Sequence, residues 1–415
     1  MRLRIVAMVL AVLPGCTSTS PRYASTTSAK GPTIRALLVQ TESVAVVRST
    51  GPCEVRTRGG ATVASVDQAA TIRIERDESR LVIRIEPGGE TTVVESALVL
   101  APSPATLFRF DGTTYPGNIM ARTYGHSSVL VVNVLDLETY LEGVVPHEIG
   151  DPGPEAYAAV RAQAIAARTY ALARIEERGA EPFDVFAGVR DQVYQGDTGK
   201  NRLASSAVRD TRGLVLLGGG ALVRAYYCAT CGGHTSDIRR VWPQRESAPY
   251  LHGVFDRGTG ASSYCDWVHN FRWRVSYSGR DLGEMLRKTL PRELGVPVAR
   301  VGFITDLSVV ERSPSGRVRV LKIETTSGSF RAQGDRIRWV LMADVDNDRI
   351  LPSTMFDIEK VTRGGRVTSV SVIGGGNGHG VGMCQNGAIG MARQGYSHNM
   401  ILSHYYPGTS LDKRY

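Results

Sequence analysis

The stretch Asn377 to Gly395, NGHGVGMCQNGAIGMARQG, crowds glycine around one histidine, one cysteine and one glutamine. Alternation of Gly376, Gly378, Gly380 and Gly382 suggests a phosphate cradle. A dinucleotide fingerprint should follow a strand, open a helix in a βαβ unit and be trailed by an acidic residue about 20 positions on. Here the chain is nearly finished, and no lysine follows as a P-loop requires. What remains is a turn system in which glycines take positive φ or let a ligand approach the backbone. His379 and Gln385 are then the side chains placed at a site. A tight turn around a buried histidine is the competing reading. A second group, Cys228-x-x-Cys231 with His234, Cys265 and His269, has spacing able to seat a structural zinc. In an oxidising compartment a disulfide is the stronger default, so a Cys231–Cys265 bridge and no metal are expected.

The compartment is read from the first residues. Arg2 and Arg4 precede a short apolar run, Ile5 to Leu13, closed by Leu13-Pro14-Gly15-Cys16. Nine apolar residues are too few for a mature bilayer span. The pattern resembles a bacterial lipoprotein signal with Cys16 as the lipidated residue, although Pro14 is unusual in such a box. A plain secretory signal is the alternative. Residues 17–32, rich in serine, threonine and alanine, read as a flexible tether. The expectation is an exported lipoprotein in the cell envelope, on the periplasmic face of a membrane, the outer membrane where one exists. With Cys16 acylated, Cys53, Cys228, Cys231, Cys265 and Cys384 remain, an odd number that leaves at least one unpaired or a ligand.

The elements that must position these groups follow from patterning. A chain of 415 residues is long for one domain, and 42% hydrophobic content fits ordinary cores. The net charge of +9 permits an anionic partner without naming one. No nucleic-acid motif or basic run interleaved with aromatics appears, so nucleic acid is not an expected partner. Residues 33–135 carry short runs of period two, such as TIRIERD and RLVIRIEP, separated by glycine and proline. They read as a small β domain. Pro154 and Glu155 suit a helix start and Gly179 a stop, giving an alanine-rich helix of about 25 residues. Arg168 and Tyr170 on that helix could reach a cleft at its edge, with a solvated arginine as the alternative. Residues 214–233 read as a hairpin running into a glycine turn at Gly232, Leu282 to Leu294 as a helix, and the C-terminus as two short helices. The fold class is α+β: β-rich, with one long alanine-rich helix and short C-terminal helices. The chain divides into a signal at 1–16, the tether, the β domain, and a domain at 136–415 with a β-rich insert at about 295–374.

Two stretches, YLEGVVPHEI...EAYAAVRAQAIAARTYAL and GHGVGMCQNGAIGMARQGYSHNMILSHYYPGTSL, resemble the paired signatures of the SpoIID/LytB family of sporulation stage II protein D and amidase enhancers. YYCATCGGHTSDIRRVW resembles its middle block. The resemblance implies a peptidoglycan lytic transglycosylase that cleaves the MurNAc-GlcNAc backbone, with the catalytic glutamate of a VP-x-E element at Glu148. Hydrolysing glycosidases ordinarily use two carboxylates. A lytic transglycosylase can use one, because the sugar's C6 hydroxyl attacks the anomeric carbon and closes a 1,6-anhydro ring. Glu148 would protonate the leaving oxygen and then take the hydroxyl's proton, which asks for a pKa raised by burial. Glu142 is the rival carboxylate. The glycine motif is implied to fold onto the cleft, so that His379 and Gln385 contact sugar or orient catalytic groups, with Arg168, Tyr194, Thr230 and Gly232 as further lining. Implied partners are peptidoglycan strands, a cell-wall amidase and, through the lipid, a membrane; no cofactor is implied. The histidine and cysteine zinc site of one clostridial branch has no counterpart in FDVFAGVRDQVYQG, and Cys384 stands where many relatives have serine. The competing function is a non-catalytic amidase enhancer or glycan-binding envelope lipoprotein.

Overall fold

The computed structural model describes residues 31–258, 260 and 262–415. The expected signal, Cys16 and nearly all of the expected tether fall outside the described residues. The architecture is α+β. Among the described residues no helix is long and apolar enough to cross a membrane.

Residues 33–136 build two antiparallel sheets. One runs Thr33–Thr41, Ser128–Asp136, Asn118–Tyr124, Ser96–Leu100, Cys53–Thr57, Thr62–Val66; the other has Thr71–Asp77 and Arg80–Glu86 near its middle. Strands such as Thr71–Asp77 bury alternate residues, and Ile72, Ile74, Leu81, Ile83 and Val99 form their shared core. Ser128–Asp136 differs, since SVLVVNVL is buried on both faces. That continuous apolar run belongs to a strand covered on both sides. Its one interior amide, Asn133, is satisfied by giving Nδ2–H to the carbonyls of Pro116 (2.8 Å) and Asn118 (3.0 Å).

The strand runs directly into helices. Asp136 caps α1 (Leu137–Glu142), its carboxylate accepting from the amides of Glu138 and Thr139. Gly143 and Val144 then lead into α2 (Val145–Ile149), where Pro146 sits in the first turn, a position that needs no amide hydrogen. A 3₁₀ turn at Pro154–Ala156 opens α3 (Tyr157–Glu177). This helix is buried nearly all round, its alanines letting α4 (Arg202–Asp210) and the C-terminal helices come close. After α5 (Ile238–Val241), strand Arg272–Ser278 and α6 (Gly279–Leu294) begin a region with its own core, in which Leu282, Leu286, Leu321, Ile323 and Val372 meet. It holds two three-stranded sheets and the short α7 (Ile337–Val340). Its sheet therefore starts at Arg272, ahead of the insert boundary expected near 295. Strand Arg366–Gly375 returns the chain to the glycine motif, followed by α8 (Gln385–Arg393), α9 (His398–Tyr405) and an edge strand, Ser410–Lys413, paired with Leu214–Leu217.

Candidate active site

Three segments converge on α3. Strand Tyr227–Cys228 pairs in parallel with Met383–Cys384, so the middle block and the glycine motif lie side by side. The motif's glycines serve this close approach. Gly382 has φ +74°, and a Cβ there would stand 1.9 Å from the Tyr226 carbonyl oxygen; at Gly380 (φ +80°) it would meet the Arg317 guanidinium at 2.2 Å. Arg317 is buried and donates to the carbonyls of His234 and Cys231, both at 2.7 Å, anchoring the 272–375 region under the motif.

Glu148, on α2, is partly buried. Its Oε1 accepts the Val193 amide at 2.8 Å, and its Oε2 faces Gln385 Nε2 at 3.4 Å, the long end of hydrogen bonding. Gln385, the first residue of α8, also reaches Gln163 Oε1 on α3 at 3.4 Å. The Nε2 of Gln163 is buried with no partner among the described residues. Desolvation pushes the Glu148 pKa above the ordinary glutamate value; the Val193 amide, Gln385, the Tyr227 hydroxyl and His147 pull more weakly the other way. Tyr227 also accepts from Gln192 Nε2 (2.9 Å), and Gln192 Oε1 accepts the Tyr140 hydroxyl (3.2 Å).

Tyr227 links this carboxyl to a cleft of about 260 Å³ that it lines with Tyr170, Arg174, Asp191, Trp242 and His379. The His379 ring lies 4.8 Å from that of Trp242. Burial, reinforced by the positive fields of Arg338 and Arg317, lowers its pKa to about 3. It is therefore neutral, and because Nδ1 accepts the Val381 amide at 3.0 Å, the ring proton sits on Nε2. Asp191 is committed to Arg174 (3.1 Å), Arg178 (2.9 Å) and the Tyr170 hydroxyl (2.6 Å). Glu142 faces Lys200 and Arg209. Neither is a spare acid beside Glu148.

Of the residues singled out in the sequence, Gln385 lies against Glu148, and His379 lies in the adjoining cleft. Four others do not line it. Arg168 is fully buried in a two-point ion pair with Glu138, both contacts at 2.7 Å, and it also donates to the carbonyls of Val208 and Leu214. Its side of α3 faces α1 and α4. Tyr194 is buried with its hydroxyl on Asn133 Oδ1 at 2.7 Å and its ring against Tyr140. Thr230 is buried, bridged to Asn377 through backbone and to Asn386 through its hydroxyl. Gly232 packs on Gly375 and Met355 and gives its carbonyl to Arg272. The Cys231 and Cys265 sulfurs are adjacent but unbonded, 3.8 Å apart, with Cys384 and Asp256 beside them. Sequence reasoning missed Gln163, Gln192, Tyr227 and the Val193 amide. Gln163, a neutral polar residue among alanines, was the one visible signal.

An α+β protein with one uncommitted, half-dry carboxyl beside a polar cleft is the class that fold and geometry define. Residues 125–217 match the family described as Stage II sporulation protein, and residues 261–382 match a domain of unknown function. The chain is 32% identical over 338 residues to an uncharacterised protein of Brachyspira hyodysenteriae, covering 80% of each. It is 27% identical to the amidase enhancer of Bacillus subtilis, over 65% of this chain and 40% of that one. To the stage II sporulation protein D of Bacillus amyloliquefaciens it is 28% identical, over 70% of this chain and 77% of that one. The chain belongs to the SpoIID family, and its role is related to the cell wall.

Proposed function

We propose that this chain is a peptidoglycan lytic transglycosylase in which Glu148 is both acid and base. The observation that carries the reading is a single carboxyl whose pKa is raised by desolvation, with the nearby acids Asp191 and Glu142 already engaged by cations. A protonated Glu148 gives its proton to the glycosidic oxygen as the bond to the anomeric carbon breaks. The carboxylate left behind takes the proton of the C6 hydroxyl as that oxygen bonds to the same carbon, forming the 1,6-anhydro ring. The Val193 amide and Gln385 stabilise the carboxylate between the two transfers. The cleft that Tyr227 lines with Tyr170, Arg174, Trp242 and His379 receives the sugar. In this reading the chain is an envelope lipoprotein anchored at Cys16.

The relative named as an amidase enhancer keeps a second reading in play, in which the cleft binds glycan and assists a separate amidase. Digestion of purified peptidoglycan with the chain alone, read by mass spectrometry, separates the two. 1,6-Anhydromuropeptides are expected. Release of peptides alone would point to a co-purified amidase, and intact glycan would leave the binding reading.

A further inference from the structure

We propose that Cys231, Cys265, Cys384 and Asp256 form a closed, tetrahedral structural zinc site behind the active centre. All four residues are fully buried, and one ligand atom from each lies within 4.8 Å of every other. The Cys231 and Cys265 sulfurs are 3.8 Å apart. With zinc–sulfur bonds of about 2.3 Å, the edge of a regular tetrahedron is about 3.8 Å, so that pair already has the separation of two ligands on one ion. A disulfide would need the sulfurs at about 2.05 Å and would leave Cys384 and a buried carboxyl without a partner cation. An iron–sulfur cubane puts a cage of several atoms between its cysteines and does not fit so tight a cluster. Three soft thiolates with one carboxylate select zinc over calcium or magnesium.

The surroundings fit ligands that carry negative charge. Cys384 Sγ accepts the amides of Cys231 (3.2 Å) and Gly387 (3.3 Å), and Cys231 Sγ accepts that of Gly233 (3.4 Å). Asp256 accepts the Cys265 amide at 3.2 Å on one oxygen and the Tyr405 hydroxyl on the other. Such contacts orient ligands from the outer shell. Asp256 forms no ion pair among the described residues, and Arg317, the cation nearby, gives Nη1 and Nη2 to the carbonyls of His234 and Cys231. On binding, the three thiols release their protons to solvent and the ion takes their place. With four protein ligands and no open position, the ion is structural. It ties the turn after Tyr227, Asp256 and Cys265, and the start of α8 together. Tyr227 and Gln385, two of the residues that touch Glu148, are the near neighbours of Cys231 and Cys384 in sequence.

The site is tested without reference to activity. The full-length chain, purified under reducing conditions without chelator, should carry about one zinc per chain by elemental mass spectrometry. Replacement by cobalt(II) should give the intense visible bands of tetrahedral geometry and thiolate charge transfer in the near ultraviolet. Cys384→Ser should abolish both. Because that variant can fail to fold, Asp256→Asn provides the milder change, weakening zinc retention against a competing chelator by about tenfold or more. Cys228→Ser, outside the four ligands, should leave the stoichiometry unchanged. Folded, reduced chain that takes up no zinc, or a Cys231–Cys265 disulfide in protein isolated from cells, would overturn the proposal.

Discussion

The Glu148 carboxyl is held between opposing influences. Desolvation favours its neutral form, while the Val193 amide and Gln385 favour the carboxylate. The balance matters because the proposed mechanism needs both states in one turnover. Since the folded pKa is raised, the acid form persists above the pH at which an ordinary glutamate ionises, and activity should decline as pH rises through that raised value. Gln385→Met removes a donor that stabilises the carboxylate, so the alkaline limb of the pH–rate profile should move to higher pH. The rate should fall about tenfold or more, the worth of a hydrogen bond to a charged group. An unshifted limb would mean that Gln385 does not bear on the titrating acid. Gln385 could be read from the sequence because it sits in a motif whose composition is unusual. Gln163 could not be placed from its own helix, since its partner is 222 positions away, and the Val193 contact runs through a backbone amide that no side chain announces.

At the scale of elements, α3 is a post on which α1, α4 and α8 are mounted. Its existence follows from caps and alanine content, but its orientation does not. A helix with alanines on every face gives no stripe to say which way it turns, and this is why Arg168 reads from sequence as a cleft residue while the structure buries it against Glu138. The Tyr415 hydroxyl joins the same carboxylate at 2.6 Å. Arg168→Ala would strand a buried negative charge and should destabilise the fold by about 3–5 kcal/mol, measured by denaturant titration at pH 7. A loss under about 1 kcal/mol would show that α1 and α3 are held by apolar packing alone. The glycine motif shows the complementary case, where composition announces close packing but cannot name the neighbour. Gly382 abuts the Tyr226 carbonyl and Gly380 abuts Arg317, both far away in sequence.

The whole molecule is more interlocked than its composition shows. The boundary near 135 falls where β patterning stops, yet Ala36 and Leu37 pair in parallel with Val185 and Phe186, and Arg35 meets Asp184 at 2.6 Å. Ile34, Ala36 and Leu135 belong to the same buried cluster as α3. A strand of two residues pairing across some 150 positions leaves no periodic trace, so sequence alone could not reveal it. Expressed without residues 1–135, the 136–415 region would expose that apolar face. It should be insoluble or lack a cooperative thermal transition, whereas the full chain melts as a folded protein; a monomeric, cooperatively folded 136–415 fragment would show the regions to be separable.

The central claim is that one carboxyl moves one proton out and one back while the sugar's own hydroxyl, and not water, attacks the anomeric carbon. Digestion of peptidoglycan in ¹⁸O-labelled water reads that choice directly in the mass of the new glycan ends. Wild-type chain should yield 1,6-anhydro ends free of the heavy isotope, and folded Glu148→Gln should yield none. Heavy oxygen at the new reducing ends, or undiminished cleavage by the variant, would contradict the account.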